Sequence, residues 1–403
     1  MCRVLRSYFL IFGCMLMAFG WCVPRAQADS LVEMTVGKSK ESYQGRVEGQ
    51  NQKFCWLMGQ DGILHQVPLK EVTNFRRVSP QFKCLSTLQM KSNLYREFGR
   101  DYEIATSAHY VTVAPPGRAS TYAKMFDLVY RQFFNYFKIR GMNLEQPEFT
   151  MVSIVFPDEK SFVEYCKRDG VRYSQGLRGY YQPRTNRVAL FIPDDRLSFK
   201  TSANSRPAPD LSQQLLGTGS DFPTTTSFQQ PNYYANLVAV DDELRNTIIH
   251  EGTHQVAFNM NLHSRLGDNP RWIVEGLATV FESPGVRNSS RVTSDKLNSE
   301  RFLWFKDYAE SRRPDQSLPQ FIVSDDLFQS SSLDAYSEAW ALSFYLLETR
   351  PRQYVDYLKR VSTRSNGRLY TPDERLTDFQ EVIHHSLPKV EMDYLRFHAK
   401  LKR

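Results

Sequence analysis

Cysteine is scarce in this sequence, with six residues in a chain of 403. Three of the six fall within the first 28 residues, which leaves Cys55, Cys84 and Cys166 in the rest of the chain. These three lack the close spacing of cysteine-ligated zinc sites, which excludes a zinc-finger type of metal site. Histidine is also sparse, at eight residues, and this argues against a zinc-storage protein.

Long apolar runs are missing except at the N-terminus. There, Arg3 and Arg6 precede an apolar run from Tyr8 to Gly20. Ala26-Gln27-Ala28 follows as a small-residue cleavage motif, so the pattern predicts a signal peptide over residues 1–28. The alternative is an uncleaved membrane anchor, although the run is short for a membrane span. We therefore expect an exported protein of the periplasm, cell envelope or extracellular medium, with no stable membrane span after cleavage.

Positively charged residues only mildly outnumber negatively charged ones. The formal net charge of the whole chain is +7, and loss of Arg3, Arg6 and Arg25 with the signal peptide lowers it by three, to +4. Such a weak excess does not indicate nucleic-acid binding. An oxidising compartment permits a disulfide between Cys55 and Cys84, and free buried thiols are an equally open alternative.

The feature around which the chain is organised is His250-Glu251-Gly252-Thr253-His254, an H-E-x-x-H pattern. Helical residues four apart share a face, so His250 and His254 would direct two imidazoles at one point. Two neutral imidazoles suit Zn²⁺, and Glu251 is placed to accept a proton from a water molecule in the same cavity. An ordinary amphipathic helix with core or surface histidines is the competing interpretation.

A second stretch supplies a third candidate ligand. Asp268-Asn269-Pro270 is a helix-start signal, and a helix from Arg271 to about Phe281 would carry Glu275 after its first turn. Glu282, seven residues later on the same face, is a rival as ligand, supporting carboxylate or solvated acid. His263 does not have the spacing that a third histidine ligand of the metzincin type requires.

Two stretches together resemble the gluzincin zinc metallopeptidases, in a poorly characterised peptidase-MA-like bacterial group. They are His250-Glu251-Gly252-Thr253-His254 and Trp272-Ile273-Val274-Glu275-Gly276-Leu277-Ala278. The resemblance covers residues 240–285 most strongly. It implies zinc ligation by His250, His254 and Glu275, and Glu251 as the general base. It also implies a Tyr or His that stabilises the developing oxyanion, for which Tyr336 has suitable spacing. Tyr345 and Tyr370 are rivals for that assignment, and His384-His385 is read as a solvated pair.

The expected fold class is α+β, with a zincin-like catalytic domain of mixed sheet plus HExxH helix. The sequence pattern predicts a small SH3-like β-barrel unit over residues 29–92, and it predicts the catalytic subdomain over residues 93–298. Within the latter, 198–232 is rich in Ser, Thr, Gln and Pro and predicts a flexible insertion. Residues 299–403 predict a helical C-terminal subdomain.

The expected function is a secreted zinc-dependent peptidase acting on a peptide or protein substrate. The chain lacks the Gly-x-Met-Glu-Asn segment of gluzincin aminopeptidases, so an endopeptidase is slightly preferred. Thr279 stands where thermolysin-like members place an Asp, which leaves support of the ligands unassigned. The alternative is a catalytically silent zincin-fold envelope protein that binds or scaffolds, although the presence of Glu251 argues against it.

Overall fold

The computed structural model describes residues 30–37, 41–193, 242–364 and 369–402. Within these ranges the protein is mixed α+β, with two five-stranded sheets and many helices. The predicted signal peptide and the predicted insertion at 198–232 lie outside the described residues. A search of the described helices finds none that is both long and apolar enough to cross a membrane.

The N-terminal unit is an antiparallel sheet with strand order β4-β3-β2-β1-β5. Its strands are β1 (Leu31–Val36), β2 (Glu41–Gln50), β3 (Phe54–Met58), β4 (Leu64–Pro68) and β5 (Val72–Ser79). A tight turn joins the third and fourth strands, in which the Gly62 amide donates to the Gly59 carbonyl at 2.9 Å. Alternate side chains of β1 and β3 form a small apolar core with Val67.

The prediction of a β-barrel for this unit is wrong, because the described strands form an open sheet. Strand β5 is polar and mostly exposed, so it offers little apolar surface for closure. The free edge of β4 is used differently: the Leu64 amide donates to the Arg184 carbonyl at 2.8 Å. That bond joins the outer edge of β4 to the turn between the last two strands of the second sheet. Cys55 and Cys84 are free thiols, not a disulfide.

Helix α1 (Thr87–Phe98) runs across the boundary that the sequence suggested between 92 and 93. It begins at a capping box in which Ser86 and Gln89 exchange side-chain and backbone hydrogen bonds. Its buried side chains, Met90 and Leu94, pack on the second sheet and not on the first. The N-terminal unit therefore ends before Ser86.

The second sheet has the order β6-β7-β8-β10-β9. Its strands are β6 (Glu103–Thr106), β7 (Tyr110–Ala114), β8 (Met151–Phe156), β9 (Gly179–Gln182) and β10 (Arg187–Phe191). Strands β7, β8 and β10 run parallel, whereas β6 and β9 are antiparallel edge strands. The aromatic-rich helix α2 (Ala119–Lys138) connects β7 to β8, and α3 (Glu159–Asp169) connects β8 to β9. Strand β6 had no counterpart among the sequence predictions.

The remainder of the described chain is helical and shares one apolar core with α2. Two helices carry the sequence motifs, α4 (Asp242–Asn259) and α5 (Arg271–Phe281), and the short α6 (Pro284–Arg287) follows. The C-terminal helices are α7 (Ser299–Ser311), α8 (Leu318–Val323), α9 (Leu327–Ser330), α10 (Ser332–Thr349), α11 (Pro351–Thr363), α12 (Pro372–Ile383) and α13 (Leu387–Lys400). Helix α10, almost wholly buried, packs against α5 and α7.

Candidate metal centre

Two buried amides hold the HExxH helix α4 against the second sheet. The Gln255 side chain donates to the carbonyls of Val152 and Asn186, at 3.0 and 2.8 Å. One turn later, Asn259 donates to Asn186 Oδ1 at 2.7 Å. Because these partners lie on β8 and on the β9–β10 turn, the orientation of α4 about its axis is fixed. The face that carries the two histidines is thereby turned away from the sheet.

The structure brings His250, His254 and Glu275 together. The Nε2 atoms of the two histidines lie 3.1 Å apart. Glu275 Oε2 lies 3.4 Å from His250 Nε2 and 3.5 Å from His254 Nε2. Ligand atoms around a tetrahedral zinc ion are separated by about 3.3 to 3.6 Å, given bond lengths near 2.0 to 2.2 Å. The spacing of the three atoms therefore fits one such ion.

Hydrogen bonding accounts for only part of this arrangement, because the two Nε2 atoms lie within hydrogen-bonding distance of each other but Glu275 Oε2 is not bonded to either. Glu275 Oε2 is buried and has no hydrogen-bond partner of adequate geometry in the described part of the chain. Burying such an atom without a partner costs roughly 1 to 3 kcal/mol, and more when it is charged. Three lone pairs converging on one point are instead what a divalent cation requires. The residues present thus fit a zinc ion.

Glu282 supports His250 from the opposite side of its ring. Its Oε1 lies 2.8 Å from His250 Nδ1, and its Oε2 accepts from the Asn298 amide at 2.6 Å. A neutral imidazole that donates its Nδ1 proton to Glu282 presents a bare lone pair at Nε2. Glu282, which the sequence left open between ligand and supporting group, therefore contacts the candidate ligand His250, whereas Glu275 is the carboxylate of the cluster.

The electrostatics of the cluster favour a positive charge at its centre. Burial alone would raise the pKa of Glu275, but the two imidazoles outweigh it and lower the pKa well below its usual range. Burial alone would lower the pKa of His250, but Glu275 and Glu282 outweigh it and raise that pKa. A proton or a metal ion can provide the charge that the carboxylates require. Metal binding at this site is therefore expected to release protons.

Glu251 and Tyr336 line the same open cleft as His250, and the cleft has a volume of about 580 Å³. The Tyr336 hydroxyl accepts a hydrogen bond from Arg271 Nη2 at 3.4 Å. Burial, reinforced by the negative charge of Glu275, raises the pKa of Tyr336 to about 12. The phenol is thus protonated at neutral pH and can donate to an anionic oxygen in the cleft.

The other residues that the sequence singled out lie elsewhere. The Tyr345 hydroxyl accepts from Arg350, and the Tyr370 hydroxyl donates to Asp378 at 2.7 Å. His384 caps the C-terminus of α12 in a left-handed conformation and is exposed. His263 is buried beside Phe258, and none of the described residues bonds its ring nitrogens. None of these four residues is among those lining the cleft.

Sequence reasoning missed Arg271 and Asn298. Arg271 Nε lies 3.8 Å from Glu275 Oε1, and its guanidinium also reaches Tyr336. Arg271 precedes Glu275 by four residues, so their shared helix face was a usable signal. Asn298 reaches Glu282 from the cap of α7, a contact between separate elements that carries no sequence signal.

One family model matches the chain, over residues 245–366, and its description reads "Protein of unknown function (DUF1570)". The matched segment includes the three clustered ligand atoms, Glu251 and Tyr336. None of the curated proteins matches the chain.

Proposed function

We propose that this protein is an exported zinc-dependent peptidase of the gluzincin type with a zincin-like catalytic domain. The observation that carries the proposal is the convergence of His250 Nε2, His254 Nε2 and Glu275 Oε2, 3.1 to 3.5 Å apart at one point. Support also comes from Glu251, whose side chain lines the cleft next to His250. His250, His254 and Glu275 would hold the ion.

A bound Zn²⁺ would polarise the scissile carbonyl and lower the pKa of a water molecule. Glu251 accepts the proton of the attacking water and later delivers it to the leaving amine. Tyr336 donates its hydroxyl proton in a hydrogen bond to the oxygen on which negative charge develops. Glu282 keeps His250 oriented throughout because both of its oxygens are engaged, one by His250 and one by Asn298.

Edge strand β9 supports binding of an extended substrate. Gly179, its first residue, lines the cleft, and a methyl group at that position would lie 2.8 Å from Thr247 on α4. Among the described residues β9 pairs on one side only, with β10, and it runs beside α4, where a peptide can add to the other side as a further strand. An open cleft bordered by such an edge favours an endopeptidase acting on a peptide or protein.

The test compares the wild type with Glu251→Gln after loading with zinc. Zinc content is measured by elemental analysis, and cleavage is measured on a peptide library by mass spectrometry. We expect about one zinc per chain in both proteins, and cleavage only by the wild type. Glu300→Gln removes the same charge from the same cleft and should keep cleavage. Equal cleavage by wild type and Glu251→Gln would remove Glu251 as the base.

A further outcome identifies the alternative function. If the wild type binds zinc stoichiometrically and cleaves no peptide of the library, the protein is a silent binding or scaffold member of the zincin fold. If neither protein retains zinc, the metal centre itself is refuted.

A further inference from the structure

The cleft beside the metal centre carries charged groups that the proposed reaction does not use. Its lining includes four carboxylates and two guanidinium groups, namely Glu243, Glu251, Glu282, Glu300, Arg178 and Arg301. Glu251 and Glu282 already have assigned tasks in the proposed mechanism.

Arg178 is already neutralised, since its Nε lies 2.6 Å from Glu243 Oε1. Arg301 differs: within residues 30–193 and 242–402, as far as they are described, no carboxylate lies within ion-pairing distance of it. Glu282, in the same cleft wall, is near enough for the charge of Arg301 to help lower its pKa, but its two oxygens bond to His250 and Asn298. Arg301 therefore presents a positive charge to the cleft that the described chain does not pair.

Arg301 is also held in place before any substrate arrives. Its backbone amide donates to Asn298 Oδ1 at 3.3 Å, which fixes the first turn of α7. Its guanidinium carbon lies 5.5 Å from the centre of the Tyr336 ring, within the range of a cation–π contact. A guanidinium ordered by such contacts loses less conformational entropy when it binds a ligand.

We propose that Arg301 is a specificity-determining residue that binds a carboxylate of the substrate close to the scissile bond. This inference rests on the proposed peptidase function. Tyr336 contacts Arg301 with its ring, and in the proposed mechanism its hydroxyl bonds to the reacting oxygen, so a neighbouring substrate residue would come within reach of Arg301. The planar guanidinium fits a carboxylate with two parallel hydrogen bonds. The carboxylate belongs to an Asp or Glu side chain or to the C-terminus of the peptide.

The experiment measures peptide binding to zinc-loaded Glu251→Gln, which makes it independent of cleavage. Three peptide pools with otherwise random sequence are compared: internal Glu with an amidated terminus, internal Gln with an amidated terminus, and internal Gln with a free terminus. We expect the pool with Glu, or the pool with the free terminus, to bind about tenfold more tightly than the neutral pool. Which of the two gains affinity identifies the source of the carboxylate.

In the double variant Glu251→Gln/Arg301→Gln, the affinities for the three peptide pools should differ by about twofold or less. Arg301→Lys keeps the charge without the planar fork and should retain an intermediate preference. Arg291→Gln removes an equal charge from an exposed position outside the cleft and should change nothing. Zinc content and the unfolding temperature of each variant verify that it is folded.

Equal affinity for all three pools, or a preference that survives Arg301→Gln, would overturn the assignment of Arg301. That result is distinct from failure of the proposed function. If the protein binds the acidic pool through Arg301 but the wild type cleaves nothing, the carboxylate subsite stands and the peptidase assignment falls.

Discussion

Glu282 and His250 form a carboxylate–imidazole pair in which Glu282 Oε1 lies 2.8 Å from His250 Nδ1. The pair joins the end of α5 to the middle of α4 and so links the two helices through the ring of His250. Asn298, at the cap of α7, fixes the other oxygen of Glu282 at 2.6 Å. Three separate elements thus determine how the ring of His250 is oriented.

Weakening this pair should weaken metal binding without removing a ligand. We expect Glu282→Gln to lower zinc affinity about tenfold and Glu282→Ala up to about 100-fold, because the imidazole loses its negatively charged acceptor. Competition against a chelator of known affinity measures the change. Glu300→Gln, which lines the same cleft, serves as the control and should bind zinc like the wild type. Unchanged affinity in Glu282→Ala would show that His250 needs no such partner.

Removing the hydroxyl of Tyr336 should affect turnover and not the metal. Tyr336→Phe is expected to lower kcat about 100-fold or more, since a donor to the developing oxyanion is lost. Zinc content and KM should stay close to wild type, because the ring and its contacts remain. Tyr345→Phe is the matched control, as that hydroxyl bonds to Arg350 outside the cleft lining. A similar loss of kcat in both variants would argue for a general packing effect.

The two motif glycines should respond in opposite ways to alanine. A methyl group at Gly276 would lie 2.1 Å from Ser343 Oγ and 2.5 Å from the Ala339 carbonyl oxygen, both on α10. We expect Gly276→Ala to destabilise the protein by roughly 1 to 3 kcal/mol and to displace Glu275, because α5 must move away from α10. Urea unfolding and zinc content measure the two effects.

Gly252 provides the comparison. A methyl group there would lie 3.4 Å from Phe126 and from Val129, which is ordinary contact with side chains. Gly252→Ala should therefore stabilise the protein, by up to about 1 kcal/mol, through the higher helix propensity of alanine. Destabilisation of similar size in both variants would contradict the packing argument.

The sequence was sufficient for the elements that depend on local signals. The helix from Arg271 to Phe281 begins and ends as predicted, because Pro270 and the apolar period that follows are local features. Helix α1 was missed because only Met90 and Leu94 of its twelve residues are buried, which leaves little periodicity. The capping box at Ser86 and Gln89 was a readable signal for its start.

The features that the sequence did not predict depend on contacts between elements that lie far apart in the chain. The bond from the Leu64 amide to the carbonyl of Arg184 joins the first sheet to a turn 120 positions along the chain. The link from Arg271 to Tyr336 likewise joins α5 to α10. No local pattern encodes either contact, so the clustered side chains and Glu282 could be named from the sequence, whereas the contacts that Tyr336 and Asn298 make could not.

His398 should make the C-terminal helices sensitive to acid. Its ring is buried among those of Phe305, Trp340 and Tyr394, and its Nε2 lies 2.9 Å from the Ala341 carbonyl oxygen. Burial lowers the pKa of His398 from 6.5 to about 4, although the bond to Ala341 opposes this shift. Between these two pH values the unfolded chain binds the proton and the folded chain does not. Stability from this group is therefore complete above pH 6.5 and is lost as the pH falls toward 4.

Replacing His398 with phenylalanine should remove this pH dependence. From pH 7.5 to pH 5 the wild type should lose about 2 kcal/mol more unfolding free energy than His398→Phe. Urea unfolding of both proteins at the two pH values measures the difference, and any constant effect of the substitution on packing cancels. His384→Asn removes an exposed imidazole from a left-handed helix cap and should follow the wild type. If His398→Phe loses as much stability in acid as the wild type, the imidazole is protonated in the folded protein, and its burial does not set the acid limit.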